Sequence, residues 1–166
     1  MASLNPRIAA QLKRVPDIAV DAARRAMEEG ATEIVAAMKA AAPEKSGELR
    51  DSIGWTWGDL PPGTFMIDEI RSGRNRGDQY ATLRLKIYAG SKDAFYARFV
   101  EFGTQAHSLA GGADVSRNKR QGQGSGHPGA AAQPFFYPTW KAARVKFKRR
   151  IRERVRAAIR EAWKNG

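Results

Sequence analysis

The sequence contains no cysteine. That absence excludes disulfide scaffolds, thiolate nucleophiles and most zinc sites, and it agrees with a reducing compartment. Histidine is scarce as well: His107 and His127 are the only two, and neither falls in His-x-x-x-His or another metal-ligand spacing. No apolar run approaches the roughly 20 residues that a membrane helix needs. Met1 to Arg14 alternates Leu and Ile with Asn, Gln, Lys and Arg, so it has no signal-peptide core. The chain therefore reads as a soluble intracellular product with no membrane partner.

What is abundant is positive charge. Lys and Arg number 29 against 17 Asp and Glu, a net charge of +12. The excess is concentrated at the end of the chain. From Pro134 onward eleven bases stand against only Glu153 and Glu161, a net +9, so the remainder is nearly balanced. A localised field of this kind favours polyanionic or acidic partners. The 166 residues suit one domain, 1–166, and the ordinary apolar content can build a core without metal or disulfide.

Residues from about Asn5 to Ala42 read as helix, with Ile8, Leu12 and Val15 on one stripe and Ile34 and Met38 continuing the spacing. Pro16 is expected to kink this helix or start a new one, and Pro43 to end it. Asp51 to Trp57 alternates as a strand, the Leu60-Pro61-Pro62-Gly63 stretch is a turn signal, and Phe65 to Ile70 is a second strand. After a polar turn over Ser72 to Asp78, Tyr80 to Ala89 sets Leu83, Leu85 and Ile87 against Thr82, Arg84 and Lys86. Three such strands suggest an antiparallel meander with one buried face. Asp93 to Phe102 reads as a short helix with Phe95, Phe99 and Phe102 at helical spacing. Thr104 to Gln133 loses periodicity and is rich in Gly, Ser, Gln and Ala, the mark of a long functional or flexible loop. Tyr137 to Trp163 is an amphipathic helix with Trp140, Phe147, Ile151, Val155, Ala158 and Ala162 on one stripe. The fold class is therefore α+β: an antiparallel sheet of three to four strands packed by a long N-terminal helix and a long basic C-terminal helix.

The residues offer no catalytic constellation. No nucleophile-elbow context surrounds any serine. Gly122, Gly124 and Gly126 lack the preceding strand, following helix and Lys-Ser/Thr pair of a phosphate cradle. Glu101, a lone acid after an aromatic helix, reads as a structural hydrogen-bond acceptor. No catalytic residue, metal ligand or cofactor site is assigned, and the chain is read as a non-enzyme. The basic helix has two readings: a charged face, solvated or held against an acidic partner, and a non-specific phosphate contact. Arg144, Lys148, Arg149, Arg152 and Arg156 are the candidates for DNA or acidic-partner contact. Aromatics do not interleave with the bases, and no helix-turn-helix, zinc-finger or RNP signature is present. Trp55, Trp57, Trp140 and Trp163 read as core or edge residues; Trp57 and Trp163, at element ends, could equally anchor an interface.

Three blocks then occur in order: Ala42-Pro43-Glu44-Lys45-Ser46-Gly47-Glu48-Leu49-Arg50-Asp51-Ser52-Ile53, Tyr96-Ala97-Arg98-Phe99-Val100-Glu101-Phe102-Gly103-Thr104, and Gln133-Pro134-Phe135-Phe136-Tyr137-Pro138. Together they resemble the HK97 gp10-like family of tailed-phage and prophage proteins. Each block makes physical sense where it stands. Gly47 suits a tight passage from helix to first strand, Leu49 and Ile53 enter the core, and Ser52 stands just before Ile53 at the close of the first block. Tyr96 opens the second block. Gly103 can stop the short helix with a left-handed residue. Pro134 and Pro138 suit the first turn of the last helix, and Phe135 and Phe136 pin that turn to the sheet. Glu101 is expected to cap or pair locally.

The resemblance implies a tail-completion, tail-terminator or head–tail joining subunit. Such a subunit assembles in the bacterial host cytoplasm into a homo-oligomeric, hexameric ring in the neck or tail of the virion. Its implied partners are head-closure and tail-tube proteins and the genomic DNA passing through the channel. The interval of some thirty residues between the second and third blocks exceeds the family's usual short loop, and it is expected to order against a neighbouring ring or tail-tube subunit. The alternative from another class is a free basic nucleic-acid-binding protein that uses the C-terminal helix.

Overall fold

The computed structural model describes residues 6–43, 47–64, 66–71, 83–108 and 126–164. The first helix, α1, runs from Pro6 to Ala41, about 54 Å at 1.5 Å per residue. Its alanines allow close approach on one face, where Ala19, Ala23, Ala26 and Ala31 are buried with Met27, Ile34 and Met38. No new helix starts at Pro16, which lies inside α1. The missing N–H frees the carbonyl of Leu12, but this turn is exposed and water can take that acceptor. At the other end Arg50 closes the helix, donating from Nε and Nη2 to the Ala42 carbonyl at 3.2 Å each.

The first motif block makes a helical turn before it makes a strand. Gly47 (φ 80°) precedes α2, Glu48–Asp51, so the passage into the sheet is less direct than the alternation over Asp51 to Trp57 suggests. Nothing stands within 4 Å of a Cβ placed on Gly47; the requirement there is backbone conformation, not space. Leu49 and Ile53 are buried. The Ser52 hydroxyl donates to the Leu49 carbonyl (2.7 Å) and accepts from the Gly90 N–H (3.1 Å), tying α2 to the end of the neighbouring strand.

The main sheet comprises β1 (Gly54–Thr56), β2 (Met66–Arg71) and β3 (Arg84–Ala89) in the order β1-β3-β2. It is not a meander: β3 is central and both neighbours run antiparallel to it, with Trp55 opposite Ile87 and Asp68 opposite Ile87 on the other edge. Pro61 and Pro62 lack the N–H groups that a continued ladder needs. They stand instead in a turn closed by the Thr64 hydroxyl on the Pro61 carbonyl (2.7 Å), and the chain crosses from one edge of β3 to the other. The strand with the fullest alternation holds the middle: Leu85, Ile87 and Ala89 are buried while Arg84, Lys86 and Tyr88 are half-buried. The expected turn over Ser72 to Asp78, the start of the third strand at Tyr80 to Thr82, Phe65 and Glu44 to Ser46 lie outside the described residues.

Beyond β3, residues 93–96 form turns and α3 spans Ala97–Phe102, shorter than the helix expected from Asp93. The long loop has a paired base that its composition hides. Thr104 and Ala130 exchange backbone hydrogen bonds of 2.9 and 3.0 Å, and β4 (His107–Ser108) pairs antiparallel with β5 (Gly126–His127). Residues 109–125, with Gly122 and Gly124, lie outside the described residues. The last helix, α4, spans Tyr137–Lys164. Pro138 falls in its first turn, as expected; Pro134 stands three residues before it and is exposed. Phe135 and Phe136 are fully buried in a core shared with β3, α1 and α4.

Candidate functional site

Two features of α4 bear on function: what holds its start, and what its outer face presents. A helix N-terminus leaves backbone N–H groups without intrahelical acceptors. Here they converge on one carboxylate. Glu101, only 3 % exposed, accepts the N–H groups of Phe135 (2.8 Å) and Phe136 (2.9 Å) on Oε2 and that of Tyr137 (3.0 Å) on Oε1. The acid on α3 thus caps α4 across more than thirty residues, with its negative charge at the positive end of the helix dipole. The contact is not local. Gly103 (φ 72°, ψ 177°) takes the positive φ expected of it, but with an extended ψ, so the chain leaves α3 straight into the Thr104–Ala130 bridge. A Cβ at Gly103 would stand 2.7 Å from the Ala130 carbonyl oxygen. The Gln133 N–H donates to the Val100 carbonyl (2.8 Å), and Tyr96, half-buried, packs edge-on to Phe95. The second and third motif blocks therefore form one unit around Glu101, with Phe135 at its centre.

The long axis of α4 runs antiparallel to α1. The Phe147 ring occupies the space that a side chain at Gly30 would take. Arg150 pairs with Glu33, and Arg154 Nη2 lies 3.7 Å from Glu29 Oε2. The Arg150 hydrogen bond holds the Glu33 carboxyl below its ordinary range. The dense arginine run is thus divided between two directions. With Phe147 set at the buried side and 100° per residue, Arg149, Arg152, Arg156 and Arg160 fall within about 40° of the opposite direction. All four are exposed, and they extend over about 16 Å of helix. Arg149 lies 3.7 Å from Glu153, a surface pair of little energetic weight, and Arg152 Nε donates to the Lys148 carbonyl. Arg144 and Lys148 lie off this stripe. They are near Asp68 of β2, whose carboxyl burial pushes above its ordinary range while those two bases oppose the shift. Of the five candidate contacts, three share the outer face with Arg160, and two turn toward the sheet.

Trp57 is held inside the subunit: its Nε1 donates to Glu28 (2.9 Å) and the Arg24 guanidinium lies over its ring. Trp163 is partly exposed at the end of α4. The two histidines, unrelated in sequence spacing, are register partners in the β4–β5 ladder. Among the described residues no group of three His, Asp or Glu side chains could hold a metal ion, and no helix is long and apolar enough to cross a membrane.

No curated protein and no solved structure matches the chain significantly. A family model does: the one described as "Bacteriophage HK97-gp10, putative tail-component" matches residues 7–103. That span holds α1, the main sheet and α3 with Glu101, and it ends at the Gly103 turn; α4 and the Phe135 block lie beyond it. With more than half of its length matched, and with the first two motif blocks inside that span, the chain belongs to the HK97 gp10-like family of phage tail components.

Proposed function

We propose that this chain is a structural subunit forming a ring at the head–tail junction, or at the head-proximal end of the tail, of a tailed phage or phage-like particle. Tail completion, tail termination and head–tail joining are the roles in view. Family membership carries the reading. The partners are copies of itself in a hexameric ring, the neighbouring head-closure and tail-tube proteins, and the genome passing through. The arginine stripe of α4 supports the last of these, because a wall of guanidinium groups tolerates and attracts phosphate. Nothing in this role requires catalysis or a cofactor. Electron microscopy of particles carrying a labelled subunit, beside particles built without it, tests the proposal. The label at the neck, together with deleted particles whose tails fail to join heads or lack a defined end, supports it. Complete, infectious particles without the subunit overturn it.

The stripe also favours a second reading, a free nucleic-acid-binding protein that uses α4. Such a protein holds duplex DNA as a monomer with steep salt dependence. A ring subunit binds weakly alone and gains avidity only when assembled.

A further inference from the structure

The helix α4 sorts its bases by type as well as by direction. With Phe147 as the buried direction, the bases near the opposite direction are Arg149, Arg152, Arg156 and Arg160, and all four are arginines. The lysines of the same helix, Lys141, Lys146, Lys148 and Lys164, fall outside that stripe. Solubility alone draws no such distinction, because an ammonium is hydrated more strongly than a guanidinium. A planar guanidinium instead grips an anion's oxygens through two parallel hydrogen bonds.

The acids are sorted too. Glu29 and Glu33 of α1 meet Arg154 and Arg150 on the inner side, and Glu161 falls within about 40° of Phe147, toward that same side. On α4 itself Glu153 is the acid beside the stripe. It lies 3.7 Å from Arg149 with both side chains mostly exposed, a pair that water and salt screen. Arg152 uses only its Nε, on the Lys148 carbonyl. Four arginines against this one glutamate leave the face at 4 − 1 = +3. The arginines also stand three and four residues apart, where like charges destabilise a helix. The isolated chain bears that repulsion, and a polyanion laid along the face relieves it.

We propose that this stripe is a sequence-independent site for the phosphate backbone of duplex DNA, an inference that rests on the reading of the chain as a subunit around the genome. A duplex laid along its length of about 16 Å presents roughly ten phosphates, five on each strand. From Trp140 to Trp163 the helix holds no Asn, Gln, Ser or Thr. The side chains that recognise adenine edges are therefore missing, and the contact follows the phosphates. An acidic protein is the poorer match. A protein interface sets an apolar centre within a charged rim, and this face does the reverse: its exposed large apolar residues, Val145 and Trp163, stand at the two ends, with guanidinium groups between them. A single strand matches poorly as well, because no aromatic ring lies between the arginines for a base to stack on. Arg144 and Lys148, near Asp68, stand outside the site.

The test uses the full chain and fluorescence anisotropy at low salt. The probes are labelled duplexes of two unrelated sequences, a single strand of equal length, and poly-glutamate. One variant combines Arg149→Gln, Arg152→Gln, Arg156→Gln and Arg160→Gln. A control of equal charge change combines Arg25→Gln, Lys39→Gln, Lys92→Gln and Arg98→Gln, all outside α4. The parent should hold both duplexes within about twofold of each other, and more tightly than the single strand or poly-glutamate. The stripe variant should weaken duplex binding more than about tenfold, and the control less than about threefold. The stripe variant should melt no lower than the parent, because the repulsion is gone; lost binding is then not lost folding. Equal weakening by the two variants, a preference for one duplex sequence, or a single strand or poly-glutamate held as tightly as duplex overturns the proposal. Particle composition judges the functional reading separately. A subunit present in particles whose stripe ignores duplex removes only this site; a chain that holds duplex through the stripe and never enters particles keeps the site and removes the particle role.

Discussion

Replacing Glu101 tests whether the far-off cap on α4 organises this end of the molecule. In Glu101→Ala three N–H groups lose a charged acceptor, and two of them, on Phe135 and Phe136, belong to fully buried residues. A hydrogen bond to a charged group contributes about 1.5–3 kcal/mol, and a buried donor left unpaired costs about 1–3 kcal/mol. Water can reach the N–H of half-buried Tyr137, so the net loss should be about 3–4 kcal/mol. Glu101→Gln separates charge from shape. Its single carbonyl oxygen can keep the two bonds now made to Oε2, while its amide nitrogen faces the Tyr137 N–H. One bond and the charge–dipole attraction disappear, a loss of about 1–2 kcal/mol. For a chain of this size these values correspond to a fall in Tm of roughly 8–14 °C for alanine and 3–6 °C for glutamine. Thermal melting followed by circular dichroism measures the order, and amide exchange at Phe135 to Tyr137 locates it. An alanine variant within about 1 kcal/mol of the parent, or a glutamine variant as damaged as alanine, would refute the capping role.

Three further outcomes follow from other contacts. Gly30→Ala gains about 1 kcal/mol of helix propensity, but its Cβ would stand 1.9 Å from Phe147 Cε2, and overpacking costs about 1–3 kcal/mol; urea unfolding should show a net loss that Phe147→Leu in the same chain partly restores. Burial raises the Asp68 pKa from its ordinary 3.8, so the folded chain binds more protons than the unfolded one between those two values, and stability contributed by this group falls as pH rises through that window. Asp68→Asn should therefore melt higher than the parent near neutral pH, with the difference shrinking in acid below the ordinary aspartate range; a constant difference from acid to neutral pH contradicts the assignment. If the outer face of α4 meets phosphate through four arginines, a fourfold rise in salt should weaken duplex binding about 150-fold, and removing all four side chains should flatten that dependence. Fluorescence anisotropy across a salt series measures both.

Much of this architecture is written in short-range pattern. The alternation of Leu83, Leu85 and Ile87 marks the buried face of β3, and the spacing of Trp140 and Phe147 marks the inner side of α4. These signals are legible because each is a single element meeting one core. What escaped needs two distant elements at once. The order β1-β3-β2 depends on a crossing through Pro61 and Pro62, which local pattern reads simply as a turn. Two-residue strands such as His107–Ser108 are too short to show alternation. Glu101 is readable as a lone acid, but its partners follow 34 to 36 residues later. The arginines of α4 look uniform in composition; only the placement of Glu29 and Glu33 on α1 separates the inward Arg150 and Arg154 from the outward stripe.

The most direct test of the central claim is quantitative mass spectrometry of purified intact particles, after nuclease treatment and gradient banding. A structural ring subunit should co-purify at a small, fixed copy number per particle, unchanged by high salt and by removal of free DNA. Its absence from the banded particles, or an amount that varies between preparations and washes away with salt, would contradict the account.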